Sequence, residues 1–392
     1  MFISLALILL AGLAAGWLCR KARLPALLGM LFIGVLLGPY VLNLIDSSIL
    51  DISAQIRKTA LIIILMRAGL SLDITDLKKV GRPAVLMCFV PACFEIAGMI
   101  LAAPKLLGLT LTEAAVTGAV VAAVSPAVIV PKMLCLMEEG YGKKNSIPQL
   151  VLAGASVDDV FVIVMFSAFT GLAQNGDISA VSFLKIPVSI VLGILCGVVI
   201  GWILGQYMKK IHVRDTVKMI VFMSMAFLLV TAEDSFGKIL PFSSLIAVMC
   251  TGLSYQKIRP ESAARISGRF SKVWVLAEIF LFVLVGATVN IQYAVKSGIS
   301  AIILIFAVLV FRMLGVFCCF ICTNLSAKER LFCMISYIPK ATVQAAIGGI
   351  PLSMGLACGE TVLTVAVLSI IITAPLGAFL IERTHRVLLD KG

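Results

Sequence analysis

Apolar stretches long enough to cross a bilayer recur from one end of this sequence to the other. A helix needs about 20 apolar residues to traverse roughly 30 Å of hydrocarbon, and inside lipid every backbone N–H and C=O must find its partner within the protein. Helices or a closed barrel meet that demand, and the sequence has no barrel-like alternation. The chain therefore reads as an all-α polytopic membrane protein, with residues 1–392 forming a single membrane domain. A soluble reading conflicts with 61% hydrophobic and 13% charged residues, against about 45–50% and 25% in soluble domains.

Hydropathy divides the chain into thirteen expected spans, at residues 2–18, 25–42, 56–72, 83–103, 112–136, 147–172, 182–206, 217–232, 238–254, 271–290, 298–323, 330–350 and 359–381. With the N-terminus outside, 22 Lys and Arg fall at cytoplasmic loops and ends and 6 outside, while Arg67, Lys132, Arg312 and Lys340 lie within spans or near their ends. This positive-inside bias accounts for the formal charge of +12 without a nucleic-acid partner. The basic segment from Lys257 to Lys272 keeps an alternative as a surface for anionic membrane lipids. The stretch from Phe2 to Leu18 has no basic region before it and Arg20, Lys21 and Arg23 after it, as a first span rather than a cleaved signal requires.

The 11 cysteines lie almost entirely in apolar spans, where reduced thiols act as small hydrophobes. Cys319 and Cys322 make a CxxC beside Cys318, without a second thiol pair or histidine to complete a metal site. His212 and His385 fall in expected cytoplasmic segments. No cofactor is expected.

Two spans are interrupted. Residues 121–131 read VAAVSPAVIVP and residues 335–349 read ISYIPKATVQAAIGG. Pro126, Pro131 and Pro339 remove backbone donors, so both segments are expected to be broken helices. Glu95 lies 30 residues before Ser125 and Arg312 lies 28 before Lys340, and a long helix follows each break. Residues 83–172 and 298–381 thus form three-span units that start on opposite sides of the bilayer, an inverted repeat.

The long helix after the first break carries Asp158 and Asp159 in GASVDDVFVIVMF, well below the membrane surface. A carboxylate there is costly unless solvated or paired, and it can bind either a hard cation or a proton. Neighbouring helical residues point about 100° apart, so Asp159 is expected to hold the ion while Asp158 either shares it or faces a basic partner. Ser156, three residues before Asp159, is expected on much the same face. Ser125 and backbone oxygens freed by the break are expected to complete the shell, although both hydroxyls have helix-backbone bonding as an alternative. Lys340 is expected to pair with Asp158, and Glu95 with Arg312 across the two repeats. Thr342 and Gln344 are polar groups of the second break without an assigned role. Arg67 and Lys132 read as snorkelling side chains, and Glu278 as a carboxylate near a span end. The glycines of LGILCGVVIGWILG serve either a dimer face or internal packing.

Together SPAVIVP, GASVDDVFVI and PKATVQAA resemble the monovalent cation:proton antiporter superfamily, most closely its bacterial members related to the NHA-type sodium/proton antiporters. The resemblance implies a secondary active transporter, not an enzyme, in the bacterial inner membrane. It implies a homodimer in which a core with two crossed broken helices moves against the remaining helices, which serve dimerisation and scaffolding. Asp159 matches the family's indispensable ion-binding acid and Asp158 the acid before it; Na⁺, or Li⁺ or K⁺, would exchange for H⁺ there by alternating access. Arg312 stands where better-known electrogenic relatives carry lysine, which favours electroneutral exchange. Potassium/proton exchange, and a channel or facilitative carrier, are the alternatives.

Overall fold

The computed structural model describes residues 1–22, 24–71, 81–175, 180–210, 213–236 and 242–391. Its helices are α1 (Phe2–Lys21), α2 (Ala26–Leu37), α3 (Ser47–Asp51), α4 (Ser53–Ser71), α5 (Arg82–Met87), α6 (Val90–Leu107), α7 (Leu111–Val121), α8 (Pro126–Glu138) and α9 (Ile147–Asn175). They continue as α10 (Ala180–Lys210), α11 (Asp215–Phe236), α12 (Ser244–Ile258), α13 (Pro260–Ala287), α14 (Ile291–Cys319), α15 (Ala327–Ser336), α16 (Thr342–Ile347), α17 (Ile350–Ser353) and α18 (Gly359–Leu388). Among the described residues, β-structure is limited to an isolated bridge between Tyr141 and Lys391.

Nine helical stretches among the described residues are long and apolar enough to cross a membrane, not thirteen. The four shortfalls have separate causes. The expected span at 25–42 is helical only through Leu37 because Gly38 is extended ahead of Pro39, whose ring disfavours helix in the residue before it. The span at 56–72 has the length, in α4, but carries Arg57, Lys58 and Arg67. The span at 238–254 becomes the 15-residue α12, and its first residues lie outside those described. The span at 330–350 is divided among α15, α16 and α17. Arg23 and His212 also lie outside the described residues.

The chain divides into two compact units. The first comprises residues 1–54, 74–169 and 279–392 where described. There α6 packs along α14 with little between them: a Cβ on Gly98 would sit 2.6 Å from the Phe311 ring, and one on Gly315 would sit 2.8 Å from the Pro91 Cα. Such approaches substitute close packing for the hydrophobic effect, which is weak between helices already in lipid. Capping boxes at Thr110–Glu113 and Ser326–Glu329 start the two helices that lead into the breaks, α7 and α15.

The second unit comprises residues 55–73 and 170–278 where described. Its main contact is α10 against α12. Gly193, Gly197 and Gly201 place their Cα atoms against the carbonyls of Ser243, Ala247 and Thr251, and an added Cβ would lie 2.4–2.7 Å from those oxygens. The glycine stripe of LGILCGVVIGWILG is therefore occupied by internal packing. Arg67 lies in the same unit with its guanidinium over the Trp274 ring, 5.7 Å from the centroid.

Candidate functional site

Pro126 determines the first break. Its missing N–H leaves the Ala122 carbonyl without its i+4 donor, and α7 ends at Val121, with residues 122–125 between it and the start of α8. Two further amides turn away from the helix: Ser125 N donates to the Pro339 carbonyl at 2.8 Å, and Val124 N donates to Asp158 Oδ2 at 2.8 Å. In the second break Lys340 N donates to Thr373 Oγ1 at 3.0 Å and Ala341 N to Gln344 Oε1 at 2.8 Å. The two interruptions meet main chain to main chain. Pro131, in contrast, sits inside the continuous α8.

The carbonyls at the end of α7 are taken by side chains. Val121 O accepts from Lys340 Nζ at 2.7 Å and Gln344 Nε2 at 3.1 Å, Ala122 O accepts from Arg312 Nη1, and Ala123 O accepts from Gln344 Nε2 at 2.7 Å. These donors sit at the negative end of a helix dipole, where cations are stabilised. The backbone oxygens freed by the break, expected to contribute to an ion shell, each accept at least one side-chain donor at these three positions.

Arg312, on α14, is fully buried and organises the acids. Its Nη1 meets Glu95 Oε2 at 2.8 Å, its Nη2 meets Asp158 Oδ2 at 3.0 Å, and its Nε donates to the Tyr337 carbonyl at 2.9 Å. The guanidinium also lies over the Tyr337 ring, 5.4 Å from its centroid. The expected Glu95–Arg312 pair is present. The expected Lys340–Asp158 pair is not: Lys340 Nζ sits 2.7 and 2.8 Å from the two oxygens of Glu95, and the ion-pair partner of Asp158 is Arg312. A planar guanidinium presents donors in several directions and can hold two carboxylates at once, which leaves the compact ammonium to Glu95.

Asp158 and Asp159 lie eleven and twelve residues beyond Ile147, about 16–18 Å along the axis of α9. Asp158 is buried, whereas Asp159 is half-buried. Oδ2 of Asp158 has both its donors, while Oδ1 of each aspartate is enclosed and without a hydrogen-bond partner in the protein. The hydroxyls of Ser125 and Thr342, one from each break, are likewise buried and unpartnered. The backbone of Ser156 lies in α9; its side chain is outside the described residues. Lys132 pairs with Glu382 at 2.6 Å in a half-exposed position away from these acids.

Sequence reasoning missed the clasp of Gln344, the turn of Lys340 towards Glu95, and the roles of Tyr337 and Thr373. One signal was available: a proline that strands a carbonyl in a membrane demands a donor from elsewhere.

Two interrupted helices tied at their breaks, with partnered buried charges and unpartnered carboxylate oxygens beside them, are an arrangement suited to moving a small cation through a membrane. Residues 5–385 match the family described as "Sodium/hydrogen exchanger, transmembrane". The chain belongs to the sodium/hydrogen exchanger family. Human sodium/hydrogen exchanger 9B2 is 33% identical over 390 residues, covering 94% of this chain and 70% of that protein. Human sodium/hydrogen exchanger 9B1 is 29% identical over 379 residues, covering 91% and 71%. The fold matches the solved sodium proton antiporter MjNhaP1 from Methanocaldococcus jannaschii with a TM-score of 0.85, over 98% of this chain and 97% of that one, at 21% identity. Membership makes this chain a multi-pass cation:proton antiporter and not an enzyme.

Proposed function

We propose that this chain exchanges one Na⁺ for one H⁺ at Asp159, without net charge movement. The observation that carries this reading is the charge balance of the crossing. Glu95 and Asp158 are matched by Arg312 and Lys340 through contacts of 2.7–3.0 Å, which leaves Asp159 as the single acid without a cationic partner there. One unmatched negative charge accepts one monovalent cation or one proton. Either occupant gives a neutral crossing, which can change its exposure at modest cost, whereas the empty carboxylate carries the penalty of a charge in the membrane. Obligatory exchange follows from that asymmetry.

Asp158 acts as a fixed counter-charge for Arg312, and its Oδ1 and the hydroxyls of Ser125 and Ser156 supply further oxygens to the cation. Arg312 does not give up its proton under physiological conditions, so it adds no second proton to the cycle. The site is carried by the units 83–172 and 298–381, and the remaining helices support a homodimer. The protein sits in a bacterial cell membrane with its N-terminus outside, surrounded by lipid.

Reconstituted Asp159→Asn tests the assignment. The expected result is folded protein in which an imposed Na⁺ gradient no longer drives proton flux, while Asp158→Asn loses stability before it loses exchange. For wild type, solid-supported-membrane recordings are expected to show no Na⁺-evoked current alongside one-to-one flux. Near-native flux in folded Asp159→Asn rejects the site, and a current with about two protons per Na⁺ rejects electroneutrality.

A further inference from the structure

Gln344 lies four residues after Lys340, is 1% exposed, and uses every polar atom of its side chain. Nε2 reaches across to the first break and donates to Ala123 O at 2.7 Å and Val121 O at 3.1 Å. Oε1 accepts from the Ala341 amide at 2.8 Å in the second break. One neutral amide thus spans both interruptions. Its three bonds fix its orientation.

The three carbonyls of residues 121–123 differ in how firmly they are held. Val121 and Ala122 have a buried cation as donor, Lys340 and Arg312 respectively, whereas Ala123 O has the Gln344 amide. Ala123 is also the residue before Val124, whose N–H holds Asp158, and two before Ser125, whose hydroxyl is buried and unpartnered. Released from Gln344, its carbonyl would become a neutral oxygen ligand beside the carboxylates. The number and field strength of carbonyl ligands bias a site between larger and smaller monovalent cations, and a shell richer in neutral dipoles favours the larger, more weakly hydrated ion.

We infer that Gln344 is a selectivity-determining positioning residue, which by holding the Ala123 carbonyl keeps the site a carboxylate site suited to small monovalent cations. The inference rests on exchange occurring at Asp159. Lys340 and Arg312 set the charge of the crossing; Gln344 sets which of its oxygens a cation meets.

The test uses full-length protein in proteoliposomes, with proton flux driven in turn by Na⁺ and K⁺ gradients. Two variants are compared, Gln344→Ala and Gln344→Met; the methionine keeps the volume and packing but has no donor. The expected result is a rise of about tenfold in the K⁺-to-Na⁺ ratio of kcat/KM in both, the change in affinity that one additional interaction of hydrogen-bond strength gives the larger ion. It should appear mainly in KM. A uniform fall in kcat with an unchanged ratio overturns the inference, as does failure of both variants to fold, because either outcome assigns the amide to the scaffold. Gln344→Glu supplies a rescue arm: its protonated form retains a donor and an acceptor, so its cation ratio should return towards wild type as pH falls. Wild-type flux that survives Asp159→Asn defeats the underlying site whatever Gln344 does, whereas Asp159-dependent flux with an unaltered ratio in Gln344→Met defeats this inference alone.

Discussion

The backbone N–H of Ser125 donates to the carbonyl of Pro339 at 2.8 Å, joining the two interrupted helices directly through their main chains. Each partner stands next to a feature that caused the interruption: Ser125 precedes Pro126, and Pro339 is itself the residue without an N–H. The bond satisfies groups that lipid cannot satisfy. It also makes the geometry at Asp158 dependent on the second break, because Val124, the donor to Asp158, is the residue just before Ser125.

Replacing Arg312 by leucine should cost about 3–5 kcal/mol of stability, since it strands both Glu95 and Asp158 in a buried site. The expected observation is a large loss of folded protein in fluorescence-detected size exclusion and thermal-shift assays. Near wild-type stability would show that the two acids can be neutralised without the guanidinium.

Arg312→Lys keeps the charge but not the fork. A lysine there can lose its proton, unlike arginine, so the residual activity should acquire a Na⁺-evoked current absent from wild type. Recordings on solid-supported membranes read this directly, and a variant that remains silent while transporting one proton per Na⁺ contradicts it.

Pro126→Ala restores an N–H within reach of the Ala122 carbonyl, which otherwise accepts from Arg312. The extra donor competes with the guanidinium and favours continuing α7 into α8. Turnover should fall more than stability does, and equal wild-type turnover would separate the break from transport.

Gly197→Val should prevent α10 from seating on α12, because its Cβ would lie 2.4 Å from the Ala247 carbonyl oxygen. Relief requires the two backbones to separate, at a cost of about 2 kcal/mol or more. Reduced melting temperature is the expected readout, with the cation preference of the surviving protein unchanged.

Asp46 lies outside the membrane-spanning helices, where the Ser48 hydroxyl, followed by the terminal ammonium and the Ser48 amide, holds its carboxyl well below the usual carboxylate range. A lowered folded value gives stability that is present above the unfolded value of 3.8 and lost as pH falls below it. Asp46→Asn should therefore leave the pH profile of exchange unchanged above about pH 5. A displaced midpoint would implicate this corner in pH control.

The broken helices were legible because proline announces a missing donor, and the Glu95–Arg312 contact because the two breaks sit at similar spacings behind a buried charge. Partner choice was not legible. The two breaks, with the crossing that the family resemblance implies, place Asp158 and Lys340 near each other, but which acid an ammonium selects depends on where a neighbouring guanidinium already points, and that is a tertiary fact. Among the described residues fewer long apolar helices appear than hydropathy counts, for a related reason: hydropathy sums apolar residues, but it does not register that Gly38 before Pro39 ends a helix or that α15, α16 and α17 divide a single apolar stretch.

The proline at 126 also constrains how this sequence can drift. A carbonyl stranded by an imino acid needs its donor already in place, so losing Arg312 is harmful while Pro126 remains and less harmful once an ordinary residue has replaced it. Lys340 and Gln344 share the Val121 carbonyl and are bound to each other in the same way. Substitutions at 126, 312, 340 and 344 should accordingly be non-additive, and the order in which they are acquired decides which intermediates survive: through this region the sequence can change only along paths on which donors arrive before, or leave after, the backbone groups they serve.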